Sequence, residues 1–175
     1  MIGEWKDYLV HPDGRRELVD EGRNLIVNGA FIVVAMCLKQ DPAFAGVMYW
    51  ALGDGNTVDT AGWDAGVLAG TTVPVKTDAA LANEIFRKAV LPADITFVDG
   101  AGNLSGTPTN RLKITVTFLE AEPSAGGTVN LREWGLYGGN ATGAAGSGYL
   151  INRKVHKTYA KSNLSQLERV LVFTF

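Results

Sequence analysis

The sequence predicts a mainly β protein: an antiparallel β-sandwich of about seven to eight strands with one buried helix near residues 25–39. Three observations carry this. The 21 glycines cluster at the ends of apolar runs, where strands that reverse need turns. Residues 111–119, RLKITVTFL, alternate strictly: Leu112, Ile114, Val116 and Phe118 fall on one side, Lys113, Thr115 and Thr117 on the other. That is the period of a half-buried antiparallel strand. Only one long stretch, LIVNGAFIVVAMCL at 25–38, is apolar without alternation.

In chain order, EWKDYLVHPDGRRELV reads as a hairpin, with Pro12-Asp13-Gly14 as its turn between KDYLV and RRELV. Asn24 is placed to cap a helix from about Leu25 to Lys39, and an all-round apolar helix is expected to lie buried under the sheet. GVMYWALGDG (46–55) is a short buried strand. Residues 54–77 hold many turn formers and no sustained period, which predicts a long loop. Asp78 is expected to cap a short turn, with Glu84 leading into the strand IFRKAVL. Strands follow at 111–119, 128–139, 148–156 and 164–175; the last ends VLVFTF, apolar on both faces as in a central strand. Trp50 and Trp134 lie in strands and are expected in the core, whereas Trp63 falls in the loop. One domain is expected over residues 1–175.

Composition excludes several classes. Sixteen Lys and Arg against 18 Asp and Glu give a formal net charge of −2, so there is no basic footprint for nucleic acid and no polybasic membrane patch. The run 25–38 is interrupted by Asn28 and Gly29 and is shorter than the ~20 residues of a bilayer span. Charges in MIGEWKDYLVHPDGRR stand where a signal peptide would be apolar, so a soluble protein made inside the cell is expected. The one cysteine, Cys37, lies in the same apolar run and is expected to be a buried thiol.

The chemistry-bearing patterns resolve against catalysis. In EWGLYGGNATGAAGSGYLINRKVHK (133–157), Gly138 and Gly143 have P-loop spacing, but Ala144-Ala145 follow where Lys-Ser/Thr would stand, and a strand pattern replaces the required helix. A flexible hairpin connection is expected. Asp54, Asp59 and Asp64 recur at a spacing of five, not the alternate positions of a calcium loop. His11 and His156 have no orienting acid or fellow ligand in sequence. Arg132, Glu133, Glu168 and Arg169 sit inside apolar strands, where cross-strand ion pairing is the expected use. No cofactor, metal, catalytic residue or small-molecule substrate is expected, and the protein is not expected to be an enzyme.

Several stretches together resemble a family of tailed-bacteriophage virion structural proteins, the small β-rich proteins of the tail, collar or fibre-attachment region. They are EGRNLIVNGA, YWALGDG, TDAALANEIFRK, TNRLKITVTF, EWGLYGGNATG and LINRKVHK followed by LSQLERVLVFTF, in that order along most of the chain. The resemblance implies assembly without catalysis, in a virion built in the host cytoplasm. The partners would be other copies of the chain and neighbouring phage proteins of the neck, tail or fibre, with no nucleic acid and no membrane. Capsid decoration and a receptor-binding carbohydrate module are the alternatives. The contact segments expected are 54–77 and 138–148, with Trp63, Asp64, Tyr137, Asn140 and Tyr149 as interaction residues. The N-terminal hairpin is a further candidate, able to extend a neighbour's sheet by strand addition.

Overall fold

The computed structural model describes residues 1–124 and 126–175. Among the described residues nine strands form: β1 (Ile2–Val10), β2 (Arg16–Ile26), β3 (Ala45–Gly53), β4 (Glu84–Ala89), β5 (Ile95–Phe97), β6 (Arg111–Phe118), β7 (Thr128–Gly139), β8 (Tyr149–Ser162) and β9 (Gln166–Thr174). Two helices join them, α1 (Asn28–Lys39) and α2 (Thr60–Ala69). The strands make one antiparallel sheet in the order β4-β3-β7-β8-β2-β1-β9-β6-β5. The sheet curls into a half-barrel, so the expected sandwich of seven to eight strands is corrected to one bent sheet of nine.

The curl is visible in which side chains meet. Trp5 of β1 and Trp134 of β7 are separated by two intervening strands, yet their rings stand edge to face with centroids 5.7 Å apart. Trp50 joins them from β3, 5.1 Å from Trp134. At the open side Phe86 of β4 reaches Phe118 of β6 at 6.1 Å, and Lys88 pairs with Glu122 at 2.6 Å. A flat sheet would leave these apolar groups in water; rolling it puts all three indoles in a shared core, where each buries a large apolar area.

The alternation read in β6 holds for Ile114, Val116 and Phe118, all buried, with Leu112 half-buried. β9 lies between β1 and β6, central as expected, but only Leu167, Arg169, Leu171 and Phe173 are buried. Its other face is half-exposed because no second layer covers it. The hairpin β1–β2 turns at Pro12-Asp13-Gly14 and lies in the middle of the sheet, between β8 and β9. β2 meets β8 at only two register pairs, Leu25↔Arg153 and Ile26↔Asn152, so among the described residues its outer edge from Arg16 to Asn24 has no strand partner.

The helices depart most from expectation. β2 continues through Asn24 and Ile26, so Asn24 is a strand residue opposite Gly3 and caps nothing. α1 starts after Val27, whose N–H is bonded to the Ile151 carbonyl, and it stops at Gln40 in the left-handed conformation. Only Ala30 and Val33 of α1 are buried. The helix therefore lies on the sheet rather than under it, and Cys37 is exposed, not buried. α2 occupies part of the segment expected to be loop; Asp59 caps it by accepting from Gly62 N–H at 2.9 Å. No helical turn follows Asp78, whose carboxylate instead accepts from Val75 N–H.

Gly29 shows how closely α1 meets β8: a Cβ there would lie 2.1 Å from the Leu150 carbonyl oxygen, a backbone atom that cannot step aside. Gly29→Ala is expected to destabilise the protein by about 1–3 kcal/mol through overpacking. Gly46→Ala, at a position open to solvent, is expected to change stability little. Urea unfolding of the two variants beside the parent checks the contrast.

Candidate functional site

α1 carries a run of exposed apolar side chains. Phe31 is 59 % and Leu38 80 % exposed, with Ile32 and Val34 also exposed. Grooves run along both flanks. One, about 340 Å³, lies between the helix and the end of the half-barrel against Val47, Phe173 and Phe175. The other, about 470 Å³, is bounded by Phe31, Ile32 and Met36. Apolar side chains scattered singly are ordinary on a surface, whereas here they are neighbours on one helix with grooves beside it.

The five residues singled out in the sequence do not form one surface. Trp63 and Asp64 sit on α2 and fasten it to β8. The Trp63 indole N–H donates to the His156 carbonyl at 2.9 Å, and Asp64 Oδ1 accepts from Thr158 N–H at 2.7 Å. Tyr137 is fully buried, its hydroxyl accepting from Leu81 N–H at 3.1 Å. Tyr149 is half-buried against Phe44. Asn140 alone is exposed, at the start of the β7–β8 connection.

That glycine-rich connection is a hairpin, as expected, but it is held rather than loose. Arg87 of β4, nearly buried, donates to the carbonyls of Thr142 and Ser147, each at 3.0 Å, and to Ser147 Oγ at 2.9 Å. Glu84 holds Arg87 through two bonds of 2.6 and 2.7 Å and also accepts from Gly146 N–H. The Arg87 guanidinium rests 4.2 Å over the Tyr137 ring. The donors that might have met a phosphate are spent on the loop itself.

Glu133, Glu168 and Arg169 pair across strands, with partners other than their sequence neighbours, while Arg132 makes no ion pair among the described residues. Glu133, fully buried, takes Arg153 of β8 at 2.5 and 2.9 Å, and Arg153 also reaches Asp78. Arg132 points the other way, donating to the Asp54 and Thr57 carbonyls and to Thr158. Glu168 pairs with Arg16. Glu133 and Glu168 thus answer to different cations on different strands.

Strand parity puts Arg169 on the inner face of the curl with Leu167 and Leu171. There it meets Asp7, its register partner on β1, at 3.1 Å, and the Tyr159 hydroxyl. Asp7 and Arg169 are fully buried. His156 is buried beside them, stacked on Tyr159 at 5.0 Å. It sits in a bulge of β8, where residues 156–158 oppose Arg132 alone between the pairs Glu133↔Val155 and Leu131↔Tyr159. A bulge frees backbone groups and redirects side chains; here the freed groups of His156 and Thr158 are those that Trp63 and Asp64 satisfy. His11, by contrast, is half-buried and bonded to Glu17 at 2.9 Å. Among the described residues no three His, Cys, Asp or Glu side chains gather as metal ligands. Among the described residues no helix is long and apolar enough to cross a membrane.

No family model, curated protein or solved structure matches the chain.

Burial, opposed by Arg169, pushes Asp7 up to about 7. Burial, reinforced by Arg169, pulls His156 down to about 3. The two have opposite signs in the pH dependence of folding. Asp7, raised in the folded state, contributes stability present below its unfolded value near ~3.9 and lost as pH rises through about 7. His156, lowered, contributes stability present above its unfolded value near ~6.5 and lost as pH falls through about 3. Between those limits the proton that folded Asp7 gains balances the one that unfolded His156 gains. Asp7→Asn should therefore unmask a fall in stability as the pH drops below ~6.5, approaching 1.4 kcal/mol per pH unit. His156→Phe should show the reverse, with stability lost as the pH rises from ~4 to ~7. Urea midpoints across that range, with equal slopes for parent and variants, would refute the pairing.

Proposed function

We propose that the protein is a non-enzymatic structural component of a tailed-bacteriophage virion, of the neck, collar or tail region, that joins a symmetric ring or fibre-attachment structure. The observation that carries the assembly reading is α1: a twelve-residue helix, apolar nearly all round, with two buried residues. A helix of that composition exposed to water is stabilised when a partner covers it. The virion assignment rests on the sequence stretches quoted above.

Within the same class a capsid decoration protein differs in copy number rather than in chemistry. A carbohydrate module centred on Trp63 is disfavoured, because its indole is half-buried, packed on Gly55 and bonded to β8.

The purified chain should scatter light as an oligomer. Leu38→Glu, with Phe31→Glu as a second variant, should shift it to monomer with an unchanged circular dichroism spectrum, since neither side chain is in the core. A monomeric parent at all concentrations, together with absence of the protein from purified particles by mass spectrometry, would end the proposal.

A further inference from the structure

β2 and β8 share only two register pairs, Leu25↔Arg153 and Ile26↔Asn152. Beyond that seam β2 follows β1 back to Arg16, while β8 runs on to Ser162 against β7. The wedge that opens between them is a cleft of about 390 Å³, lined by Asp20 of β2, Val67 of α2, and Lys154, His156, Lys157 and Tyr159 of β8.

The polar groups of this cleft are not consumed by the fold. Lys154 lies 5.2 Å over the Trp5 ring and pairs with no carboxylate. Asp20 is half-buried, and one of its oxygens accepts from Glu21 N–H. His156 is 2 % exposed. Its Nδ1 lies 2.7 Å from the Lys157 carbonyl oxygen, which can only accept, so Nδ1 carries the proton and Nε2 presents a lone pair. Among the described residues that Nε2 is buried without a partner. Behind it Tyr159 leads to Asp7 and Arg169, where Asp7 Oδ1 and Arg169 Nε and Nη1 also lack partners.

We propose that this cleft binds a hydroxyl-rich ligand, one sugar unit of a glycan. The groups that line the cleft are of both kinds: ammonium donors on β8, a carboxylate acceptor on β2 and the His156 imidazole with its unpartnered lone pair. A simple anion would suit Lys154 and Lys157 but would set like charge against Asp20 and acceptor against Nε2. A hydroxyl donates and accepts at once, so neighbouring hydroxyls on one ring can serve both sets. The volume stands at the small end of ligand sites, about 300–1,000 Å³, and suits one pyranose with the rest of a glycan outside. The site is separate from α1, which packs on the other end of β8 at Leu150.

The test is protein NMR of the full chain titrated with a panel of neutral monosaccharides, with acetate and sulfate as anion controls. At least one sugar should shift the signals of Asp20 and residues 154–159 in a saturable way. Asp20→Asn and Lys154→Met, both at half-buried positions, should each weaken that binding roughly tenfold. His156→Phe keeps an aromatic ring on Tyr159 but removes the lone pair, and should weaken it similarly; if that variant does not fold, the first two decide. No sugar response at these residues, sugar shifts confined to another region, or shifts produced by acetate or sulfate alone and lost in Lys154→Met would each overturn the proposal.

Discussion

The contact between Trp5 and Trp134 is what the rest of the structure depends on. It joins β1 to β7 across two intervening strands, so it exists only when the sheet is rolled. Once it forms, the inner face is sealed by large aromatic side chains, and Trp50 extends the seal to β3. The rolled geometry then dictates the fate of every inward residue, apolar or not. Asp7 and Arg169 share the parity of Trp5 and Leu171, so they are carried inside with them. A buried charge is costly alone; in register on adjacent strands, each supplies the other's counter-charge.

The same curl explains the division between rigid and available surfaces. Residues that bond across turns are spent on holding the sheet: Arg87 on the β7–β8 connection, Arg132 on the segment before α2, Arg153 on Glu133 and Asp78. Such networks fix loops in place but offer little to a partner. What is left over is apolar and sits on α1, or polar and sits in the wedge between β2 and β8. The two differ in chemistry, one apolar and the other carrying charges of both signs.

Much of the fold was legible because antiparallel strands write their period into the chain. Ile114, Val116 and Phe118 alternate with polar residues and are buried; Gly138 to Gly148 marked the β7–β8 reversal. Trp50 and Trp134, apolar and inside strand patterns, lie in the core. What failed is what periodicity does not encode. An all-apolar pattern in α1 reports that water is disfavoured, not whether the cover comes from the same chain. α2 lacks any buried residue and contains Gly62 and Gly66, so it has no apolar stripe; its caps, Asp59 and Gly70, were the signal available. One bent sheet and two facing sheets share the same strand pattern, and the short β2–β8 pairing at Leu25↔Arg153 and Ile26↔Asn152 is what makes this one sheet. In the candidate sites, parity would have placed Arg169 inward from the start. The unpartnered Nε2 of His156 had no trace in sequence, because it arises from a bulge fixed by Trp63 and Asp64 from far along the chain.

The two-pair seam between β2 and β8 has a mechanical consequence. Elsewhere along the middle of the sheet, strands are zipped by eight or more register pairs, as between β1 and β9. Tension across the molecule would therefore concentrate at Leu25 and Ile26. The half-barrel would yield there first, hinging as two stiff plates about a narrow crease.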